Sequence, residues 1–380
     1  MSAKPSFYIL MNKNTPILTC AIDEMSNNNI SKIIKHHNPE YLPVGLNSIS
    51  SDYFRKGLNE WFQNRSIPAS RQGLSEALHA MGAASSSDLL TKSWGLSLSD
   101  QYWLNPNGEL HWKDINFFDN PFSEEVGLAL FGKRVKPRNV DFRSPDITSD
   151  GWLQKRWEII EDKRTLVKGG SGVYKQEPIN EVIATTLLDE LGIDHVQYQL
   201  RMDGKKPYSL CENFITPDTE LVTAWQIFNS AGKKSNNDSD YMHFMRGCEG
   251  LGIEGMEEHL NQLLALDYII ANTDRHYGNF GAIRDVNTLK FVSIAPIYDS
   301  GTSLWHDTET LQIVPLQDVE SRSFYDSHEK QLKVITAFDK IDFNKLETFH
   351  EKAQQVLSHS YLVDERRKNI LSRGIQKRIN

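Results

Sequence analysis

The sequence predicts an α+β chain: a small β-rich lobe, then a mostly helical lobe, both preceded by an α/β domain. Three observations lead there. Short runs of β-branched and aromatic residues, separated by polar turns, fill 157–214. From Leu221 onward the pattern is mostly helical. Upstream, 136–146 is polar and holds Pro137 and Pro145, which marks a linker. The resulting division is 1–145 for the accessory domain, 146–217 for the small lobe and 218–380 for the large lobe.

In the first segment, 8–11 and 17–20 read as two strands joined by the turn Asn12-Lys13-Asn14-Thr15-Pro16. Helical patterns follow at 53–63 and 74–81, and Ser85 to Asp88 supply a helix N-cap ahead of Leu89 and Leu90. The stretch 94–118 carries Trp94, Tyr102, Trp103, Trp112, Phe117 and Phe118. Asp100, Glu109 and Asp114 are interleaved where a base-stacking surface would need Lys and Arg, so this is a packing strip. In the small lobe, 157–160 and 165–168 form strands about the turn Glu161-Asp162-Lys163-Arg164. A helix over 180–191 ends at Gly192, and strands at 196–202 and 208–214 flank the hairpin signal Asp203-Gly204. Beyond them, 257–271 is a strong helix with Leu260, Leu263, Leu264, Tyr268 and Ile270 on its buried stripe, and 291–294 is a strand.

Composition narrows the function classes. A net charge of −8 argues against a nucleic-acid-coating role. No apolar run is long enough for a membrane helix, and the N-terminus lacks a signal-peptide plan. Cys20, Cys211 and Cys248 are far apart and form no CxxC pair, which fits free thiols in a reducing cytoplasm and argues against zinc. The basic residues of the C-terminal end, Arg366-Arg367-Lys368, Arg373 and Lys377-Arg378, read as a solvated helix face.

The stretch with chemical content is Asp274-Arg275-His276-Tyr277-Gly278-Asn279, followed by Ile297-Tyr298-Asp299. An Asp and an Asn five positions apart on a loop, then a second Asp after a short hydrophobic run, suit phosphoryl transfer from metal-bound ATP to a hydroxyl. Magnesium wants oxygen ligands, which Asn and Asp side chains supply. Lys168 ends an apolar strand, from which it reaches toward phosphates, and Glu181 near the start of the next helix is its natural partner. Gly169-Gly170-Ser171-Gly172 lacks P-loop spacing and follows the lysine, so it reads as a flexible connection into the helix. Thr148-Ser149-Asp150-Gly151, ahead of the first small-lobe strand, is the candidate phosphate-covering loop.

With these pieces in order, the segment from about Asp146 to Trp305 resembles the HipA-like serine/threonine kinases, which have a bilobal protein kinase-like fold. The resemblance lies in Ser149-Asp150-Gly151, Leu166-Val167-Lys168, Asn180-Glu181 leading into Leu188-Asp189-Glu190-Leu191-Gly192, Ala271 through Phe280, and Ala295-Pro296-Ile297-Tyr298-Asp299. It implies Asp274 as catalytic base, Asn279 and Asp299 as magnesium ligands, Lys168 as phosphate ligand and Glu181 as its orienter. It also implies nucleotide contacts from Thr148, Ser149 and Gly151, and an adenine hinge at Cys211-Glu212-Asn213-Phe214 with Glu212 and Phe214 in contact. The Asp-Arg-His-x-x-Asn pattern is similar to phosphoinositide kinases as well, where the histidine acts on the substrate hydroxyl, so His276 stands beside Asp274 for the base role.

The implied cofactors are ATP and Mg2+, and the implied substrate is a protein serine or threonine. The implied setting is a toxin of a toxin–antitoxin pair with an antitoxin or regulatory partner. Lipid or small-molecule alcohol kinases and a catalytically silent ATP-binding regulator are the alternatives. The first 140 or so residues match no N-terminal domain of that family in an obvious way.

Overall fold

The computed structural model describes residues 6–23, 27–46, 51–133, 135 and 140–380. Helices and sheets occur throughout. The chain forms two compact units, one of residues 1–166, 213–222 and 283–292, the other of residues 167–212, 223–282 and 293–380.

The first unit opens with β1 (Ser6–Asn12), β2 (Thr15–Asp23) and β3 (Asn29–His36), joined later by β4 (Tyr102–Pro106) in the antiparallel order β3-β2-β1-β4. The expected hairpin is β1–β2, turning through Lys13 and Asn14 with Lys13 at φ 48°. Against this sheet pack α1 (Ser51–Gln63), α2 (Leu74–Met81) and α3 (Ser86–Lys92). Ser85 caps α3 by accepting the Asp88 N–H. The core joins Leu18, Ile22, Leu58, Phe62, Leu89 and Leu104, all buried. The aromatic stretch is packing material: Tyr102, Trp103, Trp112, Phe117 and Phe118 are buried, and Asp100 is bound by Arg65 at 2.6 Å. Short helices α4 (Trp112–Ile115) and α5 (Glu125–Leu130) follow.

Of the expected linker, 136–139 lies outside the described residues. Its distal end is not an exposed tether: Pro145–Thr148 is a 3-10 turn in which Ser144, Asp146 and Ile147 are fully buried. Strand β5 (Lys155–Ile160) comes next, and β6 (Lys163–Gly169) carries the chain into the second unit. The sheet containing them has the order β5-β6-β8-β7, where β7 (Tyr198–Asp203) and β8 (Lys206–Glu212) form an antiparallel hairpin about Gly204. A third sheet has the order β11-β10-β9, from β9 (Thr219–Thr223), β10 (Gly281–Asp285) and β11 (Phe291–Ile294).

The second unit is mainly helical. Helix α6 (Glu177–Leu191) starts three residues before the sequence pattern indicates, because Pro178 fits its first turn, and it ends at Gly192 in the left-handed conformation. Then come α7 (Ala224–Ser230), α8 (Asp240–Leu251), α9 (Met256–Ile270), α10 (His328–Gln331), α11 (Phe349–Ser358) and α12 (Glu365–Ile379). Leu260, Leu263, Leu264, Leu266, Ile269 and Ile270 are all buried, so α9 is buried on more than one face.

The C-terminal basic run departs from expectation. Arg366, Arg373 and Lys377 are exposed, but Arg367, Lys368 and Arg378 are buried. Arg367 donates to the carbonyls of Thr308 and Trp305, and Arg378 to those of Tyr268, Pro315 and Gln317. Two of these six basic residues therefore bind backbone carbonyls instead of facing water, and Lys368 pairs with Glu365. Among the described residues, no helix is long and apolar enough to cross a membrane.

Candidate active site

Strand β6 places Lys168, helix α6 places Glu181, and the loop after β11 places Asp299; all three belong to the second unit. Lys168 Nζ lies 3.0 Å from Glu181 Oε1 and 2.8 Å from Asp299 Oδ1, with the Tyr198 hydroxyl at 3.3 Å. Burial pushes the ammonium toward neutrality, yet Asp299 and Glu181 outweigh it and hold Lys168 charged, well above the ordinary lysine range. Burial also raises the Glu181 carboxyl, an effect that Lys168 only partly offsets. Lys168 is charged, because two carboxylates face it.

The loop after α9 is built by a scaffold behind it. Ala271 ends the helix in the left-handed conformation at φ 52°. Arg275, 1% exposed, binds both oxygens of Asp267 at 3.0 Å and donates to the carbonyls of Asn279 and Tyr298 and to the Ser300 hydroxyl. Asn272 completes the Asp267 contact at 2.8 Å, and its side-chain oxygen receives the Asp274 N–H. Glu181 Oε2 accepts the Ser300 N–H at 2.9 Å, and Asp299 itself is left-handed at φ 56°. Gly301 permits this approach, since a Cβ there would stand 3.4 Å from the Glu181 side chain and 3.2 Å from Glu177 O. One buried guanidinium thus joins the Asp274–Asn279 loop to the Asp299 segment.

Within the loop, Asn279 Nδ2 donates to Asp274 O at 3.0 Å, which leaves its side-chain oxygen for a ligand. His276 Nδ1 accepts the Gly278 N–H at 3.0 Å, so in the neutral ring the proton sits on Nε2. Asp274 Oδ1 is 2.7 Å from Arg322 Nη1. Among the described residues, no group of three or more His, Cys, Asp or Glu side chains could hold a metal alone. Asn279 and Asp299 offer what magnesium needs, one or two protein oxygens supplemented by substrate phosphates.

Thr148, Ser149 and Gly151 belong to the first unit. There the buried Arg71 donates to Gly151 O at 2.6 Å, to Asp150 O at 3.0 Å and to Ser149 O, while Thr148 Oγ1 donates to Leu96 O. Gly151, at φ 87°, takes a backbone conformation that favours glycine. Glu212 is the exposed end of β8, and Phe214 is half-buried in the 213–222 segment of the first unit. The glycine run after Lys168 is less loose than expected, because Glu177 accepts both the N–H and the hydroxyl of Ser171.

Sequence reasoning missed Asp267, Tyr198, Arg71 and Arg322, and gave Asn272 and Arg275 no role of their own within the motif. An acid inside the apolar stripe of α9 was the available signal for Asp267; Arg71 and Arg322 gave none, because their partners are 78 and 48 residues away in the chain.

The family described as the HipA-like C-terminal domain matches residues 149–366, more than half of the chain. The serine/threonine-protein kinase CtkA of Helicobacter pylori is 25% identical over 137 residues, which cover 35% of this chain and 42% of that kinase. The chain thus spans less than half the length of this curated relative. A crystal structure of the H. pylori proinflammatory kinase CtkA aligns at TM-score 0.45 and 19% identity, over 59% of this chain and 89% of that one. The HipA of Shewanella oneidensis MR-1, solved as a toxin–antitoxin complex with HipB and operator DNA, aligns at TM-score 0.57 and 14% identity, over 98% of this chain and 96% of that one. The fold likeness therefore extends into the first 140 residues, where the sequence offered no obvious match. The chain belongs to the HipA-like C-terminal domain family.

Proposed function

We infer that the protein is an ATP- and magnesium-dependent kinase that phosphorylates a serine or threonine hydroxyl of a protein, itself included. One observation carries the reading: the buried Lys168–Glu181–Asp299 cluster is tied through Arg275 to the loop bearing Asp274 and Asn279. In this reading Lys168, oriented by Glu181, grips phosphate, and Asn279 and Asp299 hold magnesium. When bound, the metal neutralises phosphate charge. Asp274 takes the proton of the acceptor hydroxyl as that oxygen bonds to the γ-phosphorus, and the electron pair of the broken P–O bond leaves with ADP. The His276 ring supports Asp274 in this role, because the Gly278 N–H occupies Nδ1 and makes Nε2 a donor. The same contact disfavours the reading of a lipid or small-molecule alcohol kinase with His276 as base.

The lobes run over 146–217 and 218–380, with Thr148, Ser149 and Gly151 over the phosphates and Glu212 and Phe214 at adenine. Thr148 and Ser149 are also hydroxyls whose own phosphorylation switches the enzyme off. By analogy with the HipA complex, the setting is that of a cytoplasmic toxin with an antitoxin-type partner.

The test is incubation with magnesium and γ-labelled ATP, wild type beside Asp274→Asn, followed by peptide mass spectrometry. Label transfer by the wild type, reduced about 10²–10⁴-fold by the substitution, is the expected result. Nucleotide binding without transfer to any hydroxyl points to a silent regulator, and no nucleotide binding rejects the kinase reading.

A further inference from the structure

The chain returns to the Asp274 loop in a turn that is anchored on every side. Glu320 and Ser327 form an antiparallel bridge, and the Ser321 N–H donates to Asp326 O at 3.1 Å. Gln331 donates to the Ser321 hydroxyl at 3.0 Å, and the Ser323 hydroxyl donates to Arg275 O at 2.6 Å. Phe324 is buried among the rings of Tyr241, Phe244, Tyr277 and Phe280. His328, also buried, meets Asn272 O at 2.8 Å. Amid these fixed neighbours, the Arg322 side chain is 56% exposed and touches Asp274 Oδ1 with one nitrogen.

An exposed ion pair of this kind contributes little to stability, so folding gives no reason to aim an arginine here. Chemistry does. A single N–H fixes Oδ1 and leaves the other carboxylate oxygen to receive a proton, while the remaining N–H groups of the fork are not spent on Asp274. We propose that Arg322 is a catalytic residue, an arginine supplied in cis that neutralises negative charge on the transferring phosphoryl group. The proposal rests on the kinase reading above. As Asp274 takes the acceptor proton it becomes neutral, and its hold on Arg322 weakens. The new O–P bond forms, the electron pair of the old one stays on ADP, and the guanidinium remains protonated throughout.

The experiment uses the full chain as wild type, Arg322→Ala and Arg322→Lys. It measures the affinity for Mg-ADP, the affinity for Mg-ADP with aluminium fluoride as a transition-state mimic, and the rate of γ-phosphoryl transfer from Mg-ATP to protein. The alanine variant is expected to bind Mg-ADP as the wild type does, to lose at least about 10²-fold in affinity for the mimic, and to slow by on the order of 10³-fold. Lysine recovers part of the loss, since it restores charge without the fork. Equal loss of ADP and mimic affinity overturns the proposal, and so does an alanine variant that turns over as fast as the wild type or faster, which would make Arg322 a cap on the base. Failure of the wild type to bind Mg-ADP rejects the kinase reading itself, a result distinct from either.

Discussion

Two ionic clusters among the described residues differ in their composition. In the first unit, Arg65 binds Asp100 through both carboxylate oxygens, at 2.6 and 2.9 Å, and Arg284 binds Glu220. Tyr102 links the two pairs, its hydroxyl receiving Arg284 and its N–H reaching Asp100. Two arginines face two carboxylates, and the set is closed. In the second unit, Lys168 contacts both Glu181 and Asp299, Arg275 acts on the same two carboxylates, and the Asp299 side chain is 31% exposed. The closed set serves the fold. The second set, with a carboxylate reaching solvent, is the one to which the kinase reading assigns metal and phosphate.

Breaking the closed set gives the largest effect on stability. Arg284→Met leaves Glu220 buried without its cation, at a cost of about 3–5 kcal/mol, and lowers the melting temperature by about 6–20 °C. Calorimetry checks this, with Glu181→Gln as the contrast: Asp299 remains beside Lys168, so the melting temperature should fall by less than in Arg284→Met. A drop of similar size in both variants would erase the distinction between the clusters.

A smaller effect sharpens the picture of the first unit. Asp146 is fully buried and its carboxyl is raised to about 7 by burial, despite accepting the Trp157 N–H and the Ser144 hydroxyl. A carboxyl raised above its unfolded value favours the folded state when protonated. Its contribution is therefore complete below the ordinary Asp range of about 4 and is lost as pH rises toward 7. Asp146→Asn mimics the protonated form, so its melting temperature should exceed that of the wild type at pH 8 and approach it near pH 4. A constant difference across that range would remove Asp146 as the titrating group.

Much of the local structure was legible. The limits of α2 coincide with the apolar periodicity, and the β1–β2 hairpin follows its turn residues. The contact of Lys168 with Glu181 was readable because a strand-end lysine and a first-turns glutamate have few other buried partners. Strand β3 was missed because it is a largely exposed strip, Asn-Ile-Ser-Lys-Ile-Ile-Lys-His, with little alternation. Strand β4, Tyr-Trp-Leu-Asn-Pro, hid inside the aromatic stretch, because its three consecutive apolar residues show no alternation. The long-range arginines were illegible for a different reason. Arg71 meets Ser149 across 78 residues and Arg322 meets Asp274 across 48, and a charged side chain carries no periodic mark of a distant partner. Arg367 and Arg378 misled in the same way, since a basic helix reads as solvated until the carbonyls it neutralises are folded against it.

The most direct test of the Lys168–Glu181–Asp299 site is calorimetric titration of ATP, with and without magnesium, into the wild type and Asp299→Asn. Tight binding that requires magnesium in the wild type, and loses that requirement together with most of its affinity in Asp299→Asn, is the expected result. Magnesium-dependent binding that survives the substitution unchanged would place the metal elsewhere and contradict the assignment of this cluster.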